Sequence, residues 1–127
     1  MYGYLAFKVP LEIKAQLAEL FPHAYEDYFG DHITYTFGVP DNHGVDIESP
    51  HVITIRALYR SNEFEVFTVD MDGKSDRPDG RRYHLTWSRL GHCMKGPRYS
   101  IDSILDQNLI CETSIHFVSN LEFIPMR

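Results

Sequence analysis

The sequence predicts an α+β fold: two small pseudo-symmetric lobes of antiparallel sheet, with outer helices, around a central cleft. Several runs alternate apolar and polar side chains with the period of a half-buried strand, and two stretches repeat Leu and Ile at helical spacing. The halves also echo one another. The first runs strand, helix and then a strand opening on His-apolar-Thr-aromatic; the second opens on such a strand and continues with a helix and closing strands. At 127 residues and 43% hydrophobic, the chain has the size and balance of one domain with a single core, so residues 1–127 are read as one unit.

Residues 2–9 place Leu5, Phe7 and Val9 on one face and Tyr2, Tyr4, Ala6 and Lys8 on the other, as a half-buried strand does. Pro10 ends that strand and suits a helix start; Leu11, Ile13, Leu17 and Leu20 then recur at helical spacing as far as Phe21-Pro22. A turn at Gly30-Asp31 leads into a strand over 32–39, with Ile33, Tyr35 and Phe37 opposite His32, Thr34 and Thr36. Residues 40–50 carry the Pro, Asn, Gly and Asp of a loop. Two β-rich runs, 51–59 and 64–70, flank the hairpin turn Arg60-Ser61-Asn62-Glu63. The stretch 71–82 has little apolar content beyond Met71 and is expected to be an exposed, mobile loop. A strand over 83–88 follows, then a helix over 100–110 with the stripe Ile101, Ile104, Leu105 and Leu109, and closing strands over 113–118 and 121–124.

Charge narrows the function classes. Twelve Lys and Arg against 18 Asp and Glu leave a formal net charge of −6, which opposes binding along a long nucleic acid, since that grip needs many cations on phosphates. A short anionic ligand in a local pocket is compatible with it. Cys93 and Cys111 form no CxxC pair, so neither a disulfide framework nor a zinc site is expected, and the setting predicted is reducing and cytoplasmic. No apolar run approaches the roughly 20 residues that span a bilayer, and the N-terminus lacks a signal-peptide pattern, so no membrane partner and no processing are expected.

Two short strings share one pattern: His32-Ile33-Thr34-Tyr35 and His84-Leu85-Thr86-Trp87. Side chains two apart on a strand share a face with Cα atoms about 6.6 Å apart, so each His and Thr can converge on one small group such as a phosphate. Ile33 and Leu85 point the other way and anchor the strands in a core. If the halves face each other, His32 and His84 meet across the cleft as general base and general acid, since imidazole titrates near neutrality. Which of them starts as base is open at this level.

The paired strings HITY and HLTW, one in each half of a small strand-rich chain, resemble the signature of the two-histidine (2H) phosphoesterase superfamily. That superfamily includes RNA-processing cyclic phosphodiesterases, such domains of tRNA ligases, and phage enzymes that destroy cyclic oligonucleotide alarm signals. The resemblance implies a bilobal fold and a hydrolase site without metal or other cofactor, in which His32 and His84 are acid and base and Thr34 and Thr86 hold the phosphate. It also implies a cyclic di- or oligonucleotide messenger as substrate and, for a phage protein, a role against nucleotide-signalled defence in the host cytoplasm. Alternatives are an RNA end-processing 2′,3′-cyclic phosphodiesterase and a non-catalytic nucleotide-binding module.

Other residues weigh differently. Tyr4 and Lys8 fall on the cleft side of the first strand, where Tyr4 could stack a base and Lys8 meet a phosphate. Arg81 and Arg82, with Lys74 and Arg77, could form a basic flap over the substrate. His23, His43, His51, His92 and His116 read as structural, because none has a Thr two places on. Metal binding by the histidines is disfavoured by the absence of HxxxH spacing. Trp87 alternates with Leu85 and Tyr83 away from His84, and so is assigned to the core rather than to base stacking.

Overall fold

The computed structural model describes residues 3–39, 45–91 and 109–125. Its elements run β1 (Gly3–Lys8), α1 (Leu11–Leu20), β2 (Asp27–Tyr28), β3 (His32–Val39), β4 (His51–Arg60), β5 (Phe64–Met71), β6 (His84–Arg89), β7 (Leu109–Ser119) and β8 (Leu121–Pro125). The strands form two antiparallel sheets of unequal size, ordered β3-β1-β8 and β2-β6-β5-β4-β7. This is an α+β architecture dominated by antiparallel sheet. No described helix is long and apolar enough to cross a membrane.

One core is shared by both sheets. Leu5, Phe7 and Ile33 from the smaller sheet cluster with Ile53, Ile55, Phe67, Val69, Leu85 and Trp87 from the larger, all almost wholly buried. Burying each such side chain contributes about 1.5–3 kcal/mol, so the alternation visible in the sequence is what drives the sheets together. The sheets are also tied at their edges. β7 belongs to one and β8 to the other with only Asn120 between them, and Ser119 Oγ donates to the Lys8 carbonyl at 2.8 Å. At the opposite end β3 lies against β6.

Helix α1 starts from Pro10, whose carbonyl accepts from both Ile13 N and Lys14 N at 3.0 Å. The expected stripe is narrower than its sequence spacing implies. Leu17 is fully buried and Ile13 packs on the core, but Leu11 and Leu20 are exposed at 79% and 56%. Leu11 lies about 120° around the helix from Leu17, and at the far end Phe21 takes the inward place, edge-on to Phe67 at 5.5 Å.

The segment from Phe21 to Asp31, which contains β2, is fastened to β6. Trp87 Nε1 donates to the Phe21 carbonyl at 2.9 Å, and the His23 ring lies between the rings of Tyr28 and Trp87, with centroids 4.2 and 4.0 Å away. Wholly buried Glu65 accepts from Ala24 N at 2.8 Å and Ser88 Oγ at 2.6 Å and pairs with Arg60 Nη2 at 2.8 Å. Gly30 has φ +109°, and a Cβ there would stand 2.7 Å from the Trp87 ring, so the close approach of this segment to β6 needs glycine.

Two expectations are corrected. Segment 71–82 is exposed over most of its length, as expected, but it is a braced arm rather than a loose loop: Met71 and Lys74 exchange backbone hydrogen bonds at 2.8 and 2.9 Å, and a second turn places Arg77 N on the Arg81 carbonyl at 2.6 Å. Its polar composition serves internal pairing, since Arg77 is buried against Asp79 and Arg82 is anchored on backbone carbonyls. Leu109 and Ile110 belong not to a helix but to β7, where Leu109 pairs with Tyr59. Residues 100–108 of that expected helix, like Cys93, His43 and His92, lie outside the described residues.

Candidate active site

Both His-x-Thr strings sit on strands, one in each sheet, and their local pairing repeats. On β3, Thr34 pairs with Ala6 and Thr36 with Leu5, leaving Tyr35 without a register partner. On β6, Thr86 pairs with Val66 and Ser88 with Glu65, leaving Trp87 in the same position. Each string thus ends in a bulge at its aromatic residue, a device that re-aims neighbouring side chains. Trp87 and Leu85 are fully buried, as is Ile33, and Tyr35 packs edge-on to Phe7 at 5.9 Å. The His and Thr of each string take the other face of their strand.

Along the seam of β3 and β6 opens a cavity of about 300 Å3, lined by Tyr4, Phe29, Asp31, His32, Thr34 and Thr86, with Gly30 at its wall. The structure therefore brings together four of the residues singled out in the sequence: Tyr4, His32, Thr34 and Thr86. His84 is half-buried and not part of this lining, but it stands two residues before Thr86 on the same face of β6. Lys8 is exposed at the end of β1, opposite His32 in register. Arg81 and Arg82 also lie outside the lining.

Each histidine has one nitrogen engaged. His32 Nε2 donates to Glu122 Oε1 at 3.3 Å. β1 lies between the two strands that carry them: Ala6 pairs with Thr34 on one side and Glu122 on the other and is itself fully buried. His84 Nδ1 lies 3.0 Å from the Arg82 carbonyl oxygen. A carbonyl can only accept, so the proton sits on Nδ1 and the neutral ring keeps its lone pair on Nε2. Burial pushes the His84 pKa below its ordinary value, and the nearby guanidinium groups of Arg77, Arg81 and Arg82 act in the same direction, against the Arg82 carbonyl bond that favours the charged ring. At neutral pH His84 is thus a neutral imidazole, the form a general base requires.

Tyr4 keeps its proton, its phenol pKa raised first by burial and then by Glu122. Phe29 is set by its N–H, which donates to the Trp87 carbonyl at 2.9 Å, and Arg89 lies 5.2 Å from the centre of its ring. Asp31 accepts from Lys14 Nζ at 2.6 Å. Phe29, Asp31 and Glu122 did not emerge from the sequence. Phe29 and Asp31 flank a turn glycine, and Glu122 reaches the site only through the β1–β8 register, which no local pattern encodes. Among the described residues, no group of three or more His, Cys, Asp or Glu is placed to hold a metal ion.

Compared with known proteins, the chain matches no protein-family model, no curated protein and no solved structure.

Proposed function

We propose that the chain is a phosphodiesterase of the two-histidine type, working without a metal on a small nucleotide substrate, with β3 and β6 as the corresponding strands of two related lobes. The observation that carries the reading is the meeting of His32, Thr34 and Thr86, contributed by two different sheets, at one cavity, with His84 on the same strand face as Thr86. The matching bulges at Tyr35 and Trp87 support the relation between the halves.

His84 Nε2 takes the proton of a ribose 2′-hydroxyl, whose oxygen attacks phosphorus. The P–O bond to the leaving oxygen breaks, and His32 donates a proton to that oxygen, yielding a 2′,3′-cyclic phosphate and a free hydroxyl. Hydroxyls of Thr34 and Thr86 donate to the phosphate oxygens as charge builds on them. Water attack on the cyclic phosphate would use the same groups with acid and base exchanged.

Size and charge support a short substrate. A cavity of about 300 Å3 stands at the low end of ligand sites and suits one nucleotide unit, with Tyr4 and Phe29 as stacking surfaces. Asp31 at the cavity, Glu122 beside His32 and a net charge of −6 oppose a long run of phosphates. A cyclic di- or oligonucleotide messenger is therefore favoured over long RNA, in a cytoplasmic setting. The test is incubation with cyclic dinucleotides, cyclic trinucleotides, 2′,3′-cyclic mononucleotides and linear RNA, with products identified by 31P NMR. Cleavage of the small cyclic substrates is expected; turnover of long RNA alone would replace the messenger reading with RNA end processing.

A further inference from the structure

We propose that Arg82 is a positioning residue for His84 rather than a substrate-binding one: its carbonyl selects the ring's tautomer, and its guanidinium clamps the backbone that carries that carbonyl. The proposal rests on the catalytic role given to His84 above, but its physical content belongs to the free protein.

The guanidinium is committed within the chain. Nη1 donates to the carbonyls of Val69 and Ser75, the latter at 2.8 Å, with the Tyr83 carbonyl at 3.5 Å; Nη2 forms an ion pair with Asp70 Oδ1 at 3.2 Å, without hydrogen-bond alignment. The neighbouring backbone is pinned as well: Tyr83 N donates to the Ser75 carbonyl at 2.9 Å, and Val69 N to the Tyr83 carbonyl at 3.2 Å. The 82–83 peptide is therefore fixed between β5 and the arm formed by residues 71–82. One arm of the planar fork on carbonyls of two segments, with the other arm on Asp70, is a span that lysine's single ammonium cannot reproduce.

The Arg82 carbonyl, so fixed, holds His84 Nδ1–H and leaves Nε2 for substrate. Released from it, the ring would be free to take the Nε2–H tautomer, which cannot accept a proton at the nitrogen that needs to. The charged groups that act on His84 are Arg77, Arg81 and Arg82 from the arm; Asp70 of β5 is already engaged by Arg82 and by Arg56. Removing the Arg82 charge takes away one of three cations that disfavour the imidazolium.

Long-range 1H–15N correlation spectra of the free protein read the tautomer and titration of His84 directly. Wild type should show Nδ1–H with a bare Nε2, and a wild-type ring protonated on Nε2 overturns the proposal even if no variant folds. In Arg82→Met the Nδ1–H form should lose its dominance and the titration midpoint should rise. Arg82→Lys, keeping the charge but not the fork, should restore the midpoint and not the tautomer. With a cleaved substrate in hand, Arg82→Met should lower kcat roughly tenfold or more while KM changes by less than about twofold. An unchanged tautomer and titration in Arg82→Met, with the loss confined to KM, would return Arg82 to substrate binding. Absence of turnover in wild type would defeat the phosphodiesterase reading and leave the spectra to decide this one.

Discussion

His84 and His32 are held through opposite ring nitrogens: Nδ1 of His84 meets the Arg82 carbonyl oxygen at 3.0 Å, whereas Nε2 of His32 meets Glu122 Oε1 at 3.3 Å. Two residues equivalent in sequence pattern are thereby made chemically different. One is a desolvated ring whose partner can only accept a proton from it; the other faces a carboxylate.

The pH dependence follows from that difference. His84 works as the free base, and burial holds its pKa below the ordinary 6.5. Protonation abolishes the base only below that lowered value, so the acid limb of kcat/KM should have its midpoint below 6.5. A midpoint clearly above 6.5, with chemistry shown to limit the rate, would remove His84 from the role of base.

Thr34→Val and Thr86→Val each delete one donor to the phosphate while keeping the β-branched shape that suits a strand. Each should lower kcat by about 100- to 1000-fold, the usual cost of losing one preorganised donor, and leave the melting temperature nearly unchanged. Wild-type rates in both would make the hydroxyls structural.

Ala6→Leu tests the bridge between His32 and Glu122. Ala6 is fully buried on the strand between them, in register with Thr34 and with Glu122, and added methylenes there would overpack the site and push its neighbours, Glu122 among them, out of place. Activity should fall sharply, with stability reduced by about 1–3 kcal/mol in urea titration. Glu122→Gln, which preserves volume, should keep the stability and isolate the loss of the carboxylate; full activity in both variants would show that the bridge has no part in turnover.

Stability should fall on mild acidification. His23 is sandwiched between Tyr28 and Trp87 with its Nε2 buried and without a hydrogen-bond partner, and burial lowers its pKa. Above the unfolded value of 6.5 the ring is neutral in both states and the stabilisation is complete; as pH drops below 6.5 the unfolded chain takes up a proton that the folded chain resists. His84 contributes with the same sign. The melting temperature should therefore decline from pH 7.5 to 5, and less steeply in His23→Phe, which keeps the stacking without the proton. An equal decline in that variant would contradict the assignment to His23.

How far the sequence carried the structure depended on whether the information was local. Leu5, Phe7, Ile33, Leu85 and Trp87 alternate with polar neighbours, and the core forms from them as that period requires. Thr34 and Thr86 share the cavity because the same period puts each on the face opposite its buried neighbour. Spacing alone misread Leu11 and Leu20, since helical recurrence does not say how wide a stripe the sheets will cover. The 71–82 arm was misread because its charges pair internally, through contacts between Arg82 and carbonyls up to 13 residues away. Glu122 lies 90 positions from His32 and reaches it only through strand register.

The central claim, that two histidines on two strands carry out phosphodiester cleavage without a metal, is tested most directly by one assay. Wild type, His32→Ala and His84→Ala, each shown to be folded by circular dichroism, are incubated in excess chelator with the best cyclic dinucleotide or cyclic trinucleotide of the panel. Wild type should keep its full turnover in chelator, and each variant should lose it by several orders of magnitude. Activity that appears only with an added divalent metal, or that survives in either alanine variant, would contradict the account.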